Sequence, residues 1–310
     1  MKVRREQTVP ILLVVLALTF NVIGLMPELT ITRVDLNDNV LHFPLIQGMV
    51  QAVEHGRNPI DWWAPEWSLG YPVLRTYQPL AHAIVALVYF VLFKSVSLMT
   101  VFVTVRYLSV ALLPLTFFIT ARLLSFSSLT AAAAAMLAPL ISTSGLYGIE
   151  YGSYLWAGSG LFTQAVACHL LLLTIGFAYG AIRRGKHIGI TGALLGLTFL
   201  AHFIYGYMAA LSICLLSSIP RTGTPITTRI LRTAWVGAIA FVLAAFEFVP
   251  MMLDKSIINH SRWEPSWKWD SFGANQVTKL LFTGELLDHG RAPAFTLLAL
   301  LGVAFYFRDM

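Results

Sequence analysis

The chain has 310 residues, of which 57% are hydrophobic and only 12% are charged. Water-soluble domains carry roughly twice that charged fraction, so the composition excludes a soluble globule, a disordered chain and a basic nucleic-acid-binding protein. The formal net charge of +6 is therefore read first as a topology signal rather than as a surface for an anionic partner. Cys168 and Cys214 lie in apolar runs, which argues against a disulfide framework or a thiolate metal site.

The first predicted element is a membrane span over residues 10–27. A basic segment, residues 1–9, precedes it, an order found in signal peptides as well as in membrane helices. The small residues that mark a cleavage site are missing around Leu25 and Pro27. We therefore expect an uncleaved helix.

Further spans are predicted wherever about 20 apolar residues follow one another. These runs cover residues 99–121, 128–146, 158–182 and 231–252, with a shorter run at 293–307. Residues 188–219 are too long for one span and fit a hairpin of two spans that turns near His202. Residues 79–93 are ambiguous by length, because 15 residues also suit an interfacial or re-entrant helix.

The distribution of charge decides how residues 79–93 are interpreted. If they do not cross the membrane, the N-terminal side holds 11 cations and two acids, against 10 cations and 13 acids elsewhere. If they do cross, every cation from Arg122 onward changes side and the asymmetry vanishes. Because positive loops stay in the cytoplasm, the sequence predicts an all-α polytopic membrane protein with about eight spans and both termini inside.

This topology makes residues 1–310 a single transmembrane domain with two large outer loops. The first loop, 28–98, contains the non-crossing interfacial helix 79–93, and the second loop is 253–292. Smaller outer turns are expected at 147–157 and around His202. We expect the chain to lie in the cytoplasmic (inner) membrane, surrounded by lipid, with its active face outside.

Ionisable residues near the start of the first outer loop are the first candidates for chemistry. Asp38 and His42 are four residues apart, so a helix would put them on one face. There they could act as base and orienter, or as ligands of a divalent cation. The alternative is a solvated helix end with Asp35 or Asp38 as its N-cap.

A cluster of aromatic residues follows in the same loop. Trp62, Trp63 and Trp67 precede a turn made by Gly70, Tyr71 and Pro72. Trp residues beside a membrane usually anchor the chain at the interface. Aromatic rings could also line a site for a sugar or a polyprenyl chain, and both interpretations stay open.

Three more polar residues fall on the same predicted side of the membrane. Glu150 lies among aromatic residues in the turn 147–157, and a carboxylate at a membrane boundary is costly unless it is paired, hydrated or used. Gln164 follows in the next span. His202, at the tip of the predicted hairpin, is either a satisfied polar residue or a member of the same site as Asp38.

The second outer loop alternates Trp with charged residues, which is typical of an interfacial lid. Arg291 precedes the last span and could hold a phosphate by bidentate hydrogen bonds. Its alternative role is a boundary residue whose charged end reaches the interface. Arg57 and Lys268 are substitutes for the phosphate-binding role.

In this order, the residues resemble the GT-C superfamily of polyprenyl-phosphate-sugar-dependent glycosyltransferases. The resemblance rests on an early acidic residue near a His, a Gly-Tyr-Pro turn before a Pro-led helix, and a second acidic turn. The nearest likeness is to the prokaryotic membrane family labelled "6-pyruvoyl-tetrahydropterin synthase-related", through residues 70–79, 160–164 and 200–202. Nothing in the sequence resembles a soluble pterin-binding fold, so the label implies no pterin chemistry.

The resemblance implies a GT-C-like fold and an inverting sugar transfer from a polyprenyl-phosphate donor. The catalytic carboxylate of the first loop corresponds to Asp38, with Asp35 as the alternative, and that of the second turn corresponds to Glu150. A divalent ion, Mg²⁺ or Mn²⁺, is left open, and its candidate ligands are Asp38, His42, Glu150 and His202. The residues expected to contact substrate are His42, Arg57, Tyr71, Gln164, His202, Lys268 and Arg291.

Two other functions stay open from the sequence. A non-catalytic subunit of a larger membrane complex would suit the Trp-rich outer loops and a chain shorter than most GT-C enzymes. A transporter or lipid flippase would need ionisable groups near the middle of the membrane, whereas the charged residues here gather at one edge.

Overall fold

The computed structural model describes residues 2–30, 38–65, 70–140, 162–219, 223–254, 272–288 and 293–308. Within these ranges the chain is all-helical, as predicted, apart from one isolated antiparallel bridge between Ala64 and Tyr71. The α-helices are α1 (Lys2–Gly24), α2 (Asn39–Glu54), α3 (Leu80–Val91), α4 (Leu98–Ala111), α5 (Leu113–Leu123), α6 (Ser128–Leu137), α7 (Phe162–Arg184), α8 (Ile188–Ala201), α9 (Phe203–Ser218), α10 (Ile226–Leu253), α11 (Ala274–Phe282), α12 (Glu285–Asp288) and α13 (Ala294–Arg308). Short 3₁₀ helices cover Met26–Thr30, Val73–Arg75 and Ala138–Leu140.

Three of the described helices are long and apolar enough to cross a membrane, namely α1 from Gln7 onward, α7 and α10. The pair α4 and α5 makes a fourth if it is one span bent by 46°. Shorter apolar helices, α6, α8, α9 and α13, lie in the other predicted spans. Every predicted span thus contains a helix, which is compatible with a helical membrane protein, and the number of eight spans stays a prediction.

The bend between α4 and α5 has a local cause. Pro114 lies in the first turn of α5 and has no N–H group to donate to the carbonyl of Val110, four residues earlier. The side-chain amide of Asn21 in α1 donates to that carbonyl at 3.3 Å. The proline therefore weakens the helix at this point, and α1 supplies a hydrogen bond there.

Helices α8 and α9 form the predicted hairpin. Only His202 separates them, and its extended backbone (φ −164°, ψ 117°) interrupts the helix. After α9 the chain returns to the end of the bundle at which α8 begins. There the Thr224 hydroxyl donates to the carbonyl of Arg183, near the end of α7, at 3.3 Å. The turn at His202 therefore lies at the opposite end of the bundle from Arg183.

The two ends of the bundle differ in charge. One end, called here the basic end, gathers cations where α5 and α7 finish and α8 and α10 begin: Arg122, Arg183, Arg184, Lys186, Arg229 and Arg232. At the other end, called here the loop end, Arg75 Nε lies 2.8 Å from Asp254 Oδ2, just after α10. This ion pair fixes the first loop to the bundle at the end where His202 lies.

Helices α2 and α3 pack side by side at the loop end, running in the same direction. His42 meets His82 at their beginning, and Glu54 meets Lys94 at their end; both pairs are 40 residues apart in the chain. With 12 residues, α3 is about 18 Å long, short of the ~30 Å hydrocarbon core of a bilayer. This length is compatible with a non-crossing helix 79–93, which stays a prediction.

Candidate functional site

A buried pair of histidines lies at the centre of the loop end. His42 Nδ1 and His82 Nε2 are 3.0 Å apart, and the two rings are 1% and 0% exposed. Phe162, the first residue of α7, packs edge-on against both rings at 5.7 and 6.1 Å. Burial, with smaller contributions from the charges of His202 and Arg106, lowers the pKa of His42 to about 4. Burial lowers the pKa of His82 as well. Both imidazoles are therefore neutral at pH 7 and are joined by one hydrogen bond.

Asp38 lies one helical turn before this pair. The backbone N–H of His42 donates to the Asp38 carbonyl at 2.9 Å, so the predicted spacing on a helical turn is confirmed. Asp38 occupies the N-cap position of α2, but its side chain makes no capping hydrogen bond. Partial desolvation raises the pKa of Asp38. Asp38 is exposed at the start of α2, so the interpretation as a solvated helix end and that as a reactive carboxylate both stay open.

Tyr77 packs against both histidines. Its ring lies 6.2 Å from His42 and 5.9 Å from His82. Burial raises the pKa of Tyr77 to about 12; a hydrogen bond with Thr163 opposes this shift, and the negative charge of Asp38 adds to it. The phenol therefore stays protonated, with Thr163 as its hydrogen-bond partner.

On the other side of the pair, the tip of the α8–α9 hairpin comes close. The charge of His202 acts on the pKa of His42, and its ring lies 5.2 Å from that of Tyr205. Gln164 Nε2 donates to the Tyr205 hydroxyl at 2.9 Å. Asp38, His42, Gln164 and His202, predicted from separate parts of the sequence, thus lie at the same end of the bundle. Asp38 and His42 are in contact on α2, and Gln164 and His202 both contact Tyr205.

A buried ion pair packs next to this cluster. Arg106 Nε contacts a carboxylate oxygen of Glu28, and both side chains are almost completely buried. Arg106 also lies over the Phe102 ring at 5.4 Å, and Phe102 packs against Phe162. The ion pair therefore connects the segment that follows α1 with helix α4, next to the histidines.

Glu247 is a further buried carboxylate near the same level. It is 1% exposed, and neither of its carboxylate oxygens has a hydrogen-bond partner among the residues that the structure describes. Methyl groups added at Gly192 and Gly196 of α8 would lie 2.6 and 3.0 Å from Ile239 and Ala240 of α10. The contact residues follow one another in the same order along both helices, so α8 and α10 run parallel. Glu247 in α10 therefore lies at the same height along the bundle as His202, which follows α8.

The structure does not bring every predicted residue to this cluster. Arg57 follows the far end of α2, about 20 Å from His42 along the helix axis, in a groove lined by Trp62 and Trp63. Tyr71 makes a fold contact instead, since its hydroxyl bonds Thr76 Oγ1 at 2.9 Å. The remaining predicted residues lie outside the described part of the chain: Asp35, Glu150, Lys268 and Arg291.

The predicted divalent ion finds no three-ligand site in the described ranges. No three His, Cys, Asp or Glu side chains there are grouped closely enough to hold a metal ion. His42 uses Nδ1 for its bond to His82, so only Nε2 of that ring is left. Asp38, His42 and His202 therefore do not fit a metal centre by themselves, and no chemical step is assigned to one.

Several members of the cluster were not predicted from the sequence. His82, Tyr77 and Tyr205 lie in or next to apolar runs and have no charged neighbour that would single them out. One signal was present, because His42 to His82 and Glu54 to Lys94 have the same spacing in the chain. Equal spacing of two compatible pairs indicates parallel helices in register.

Comparison with models of known protein families finds no match, and comparison with curated proteins finds no similar sequence. The function must therefore be argued from the cluster itself.

Proposed function

We propose that the chain is an inverting glycosyltransferase that uses a polyprenyl-phosphate-linked sugar at the outer face of the cytoplasmic membrane. The observation that carries this proposal is the cluster at the loop end that contains Asp38, Tyr77, His42, His202 and Gln164. It gathers a carboxylate, a protonated phenol and uncharged hydrogen-bonding groups at the end of the bundle opposite the basic end. Because positive loops stay in the cytoplasm, the loop end faces outward.

In this reaction Asp38 is the general base. Its carboxylate takes the proton of an acceptor hydroxyl as that oxygen attacks the anomeric carbon of the donor sugar. The bond from that carbon to the phosphate oxygen breaks at the same time, and the polyprenyl phosphate leaves with the electron pair. The raised pKa of Asp38 makes it a stronger base than an ordinary aspartate, and general-base assistance is worth roughly 10²–10⁴ in rate.

The other side chains of the cluster position the reacting groups. The Tyr77 phenol donates to Asp38 or to the acceptor oxygen. Gln164 and His202 offer hydrogen bonds to sugar hydroxyls, while the neutral His42–His82 pair forms a rigid wall. A cation must neutralise the departing phosphate, and this role is assigned to Arg291, with Lys268 as its substitute.

The decisive experiment compares Asp38→Asn with Glu54→Gln, a change at the opposite end of α2. Each variant is reconstituted in proteoliposomes and supplied with radiolabelled decaprenyl-phosphate mannose, glucose or arabinose. We expect Asp38→Asn to lose at least 100-fold in transfer with an unchanged unfolding temperature, whereas Glu54→Gln keeps wild-type transfer. Undiminished transfer by Asp38→Asn would contradict the proposal. So would a folded wild-type protein that transfers none of the three sugars.

A further inference from the structure

A groove runs along the face of α2 that does not carry His42. Its floor includes Leu41, Pro44, Gly48, Gln51 and His55, spaced by three or four residues, and residues 57–65 form the opposite wall. The groove has a volume of about 820 Å³, within the ~300–1,000 Å³ range of ligand-binding clefts. From Leu41 to His55 it is about 21 Å long, so it suits an extended ligand.

Two indole rings in the groove are seated on glycines. A methyl group added at Gly48 would lie 2.1 Å from the Trp62 ring, and one added at Gly70 would lie 2.1 Å from the Trp63 ring. Gly70 also has a φ of +108°, which other residues rarely adopt. Only glycine permits these approaches. The two aromatic surfaces are thus held in place by backbone rather than by flexible side chains.

The wall that carries the indoles is fixed before any ligand arrives. Ala64 and Tyr71 exchange backbone hydrogen bonds of 3.0 and 3.1 Å, and the Asn58 side chain accepts from Ile60 N at 3.0 Å. Trp63 nevertheless stays 61% exposed. A rigid, exposed aromatic surface loses little conformational entropy when a ligand stacks on it.

The polar groups of the groove both donate and accept hydrogen bonds. Gln47 and Gln51 each provide an amide, Asp61 provides a carboxylate and Arg57 a guanidinium. One cation and one anion leave the groove without a dominant charge, so it does not favour a phosphate or another polyanion. Sugar rings match this lining, because they present C–H faces to indoles and hydroxyls that donate and accept.

We propose that the groove binds a neutral oligosaccharide, the acceptor of the transfer reaction. The role of the oligosaccharide as acceptor rests on the proposed function, whereas the binding of a sugar is inferred from the groove alone. The end of the groove at Leu41 lies one helical turn from Asp38, although on a different face of α2. A bound chain that extends around the start of α2 would bring its terminal hydroxyl to the base. The other end, at Arg57 and Asp61, holds sugar residues remote from the reaction.

The first test measures binding without any donor. Full-length protein in nanodiscs is titrated calorimetrically with neutral hexasaccharides of α-mannan, α-glucan and β-glucan. We expect at least one to bind, with a Kd weakened at least tenfold by Trp63→Ala and by Asp61→Asn. Trp235→Ala is the matched control, because Trp235 is 58% exposed on α10, outside the groove. The proposal is overturned if no hexasaccharide binds or if Trp63→Ala leaves the affinity unchanged.

A second test distinguishes a sugar site from a membrane anchor. A spin label is attached to Trp63→Cys in a background in which Cys168 and Cys214 are replaced by Ala. In nanodiscs, the label should collide with a water-soluble nickel reagent and be shielded from it by the bound hexasaccharide. A label that collides with oxygen dissolved in the lipid, and is not shielded, would make Trp63 an interface anchor and refute the proposal.

These tests separate the groove from the transfer reaction. Asp38→Asn should keep the wild-type affinity for the hexasaccharide while losing transfer. If sugars bind but the folded wild-type protein transfers none of the three donor sugars, the groove is a sugar site and the glycosyltransferase proposal fails. If transfer depends on Asp38 but no hexasaccharide binds, the groove proposal alone fails.

Discussion

His42 and His82, 40 residues apart in the chain, share a 3.0 Å hydrogen bond between Nδ1 and Nε2. Twelve residues later in both segments, at the end of α2 and just after α3, the Lys94 ammonium lies 2.5 Å from the Glu54 carboxylate. These two contacts hold α2 and α3 parallel and in register along their full length. The register gives each helix a fixed position relative to Asp38 and the groove, so the loop end behaves as one unit.

The histidine pair makes stability depend on pH. The pKa of His42 is lowered by burial to about 4, whereas an unfolded histidine titrates near ~6.5. Between these values the unfolded chain binds a proton that the folded chain does not. The free energy of unfolding therefore falls as the pH falls from about 6.5 to 4, by on the order of 3 kcal/mol. Thermal unfolding in detergent between pH 7.5 and 4.5 measures this loss.

The double variant His42→Leu with His82→Leu should flatten that pH profile. His55→Leu is the matched control, because His55 is exposed and lies at the far end of α2, and it should keep the wild-type profile. A wild-type unfolding temperature that does not change between pH 7.5 and 4.5 would refute this account of the pair.

Removal of one partner of the buried ion pair between Arg106 and Glu28 should destabilise the fold more than removal of both. Its side chains are 4% and 2% exposed, and removal of one partner leaves a buried charge, which costs about 3–5 kcal/mol. We expect Arg106→Met to destabilise by this amount and Glu28→Met with Arg106→Met to recover most of it. Lys94→Met breaks an exposed pair and should cost at most about 1 kcal/mol. Equal losses for Arg106→Met and Lys94→Met, measured by denaturant unfolding, would contradict this ranking.

Replacement of Glu247 should raise the stability of the protein and lower its activity. Its carboxylate is buried without a hydrogen bond from any described residue, which is unfavourable by about 1–3 kcal/mol. Glu247→Leu should therefore raise the unfolding temperature, and it should lower sugar transfer because Glu247 lies level with His202. Phe246→Leu, a change at an exposed neighbour, should alter neither quantity. A lower unfolding temperature for Glu247→Leu would show that the carboxylate supports the fold instead.

The predicted topology can be tested by cysteine labelling. In a background without native cysteines, Lys94→Cys should react with a membrane-impermeant maleimide in intact cells. Lys186→Cys should react only after the membrane is permeabilised, because Lys186 lies at the basic end. Both side chains are exposed, so access to reagent decides the outcome. The reverse pattern would mean that α3 crosses or that the whole chain is inverted. Labelling of both positions from one side would mean that one of the three predicted spans between Lys94 and Lys186 does not cross.

The apolar runs of the sequence determined where the helices lie. Each run predicted as a span contains a helix, and the hairpin that turns at His202 follows from a 32-residue run that is too long for one span. These features are local, since burial of apolar side chains and pairing of backbone groups within one helix decide them. Asp38 and His42 were also found locally, through their spacing on one helical turn.

Only the tertiary structure decided which of these residues share a site. Two contacts could not be read from local patterns: the register of α2 on α3, which pairs His42 with His82, and the approach of the hairpin tip, which adds His202 and Gln164. Arg57 was grouped with the phosphate-binding residues by charge alone, but the length of α2 carries it away to the groove. The sequence specifies the helices because their hydrogen bonds are internal, whereas the site depends on side-chain packing between residues 40 or more positions apart.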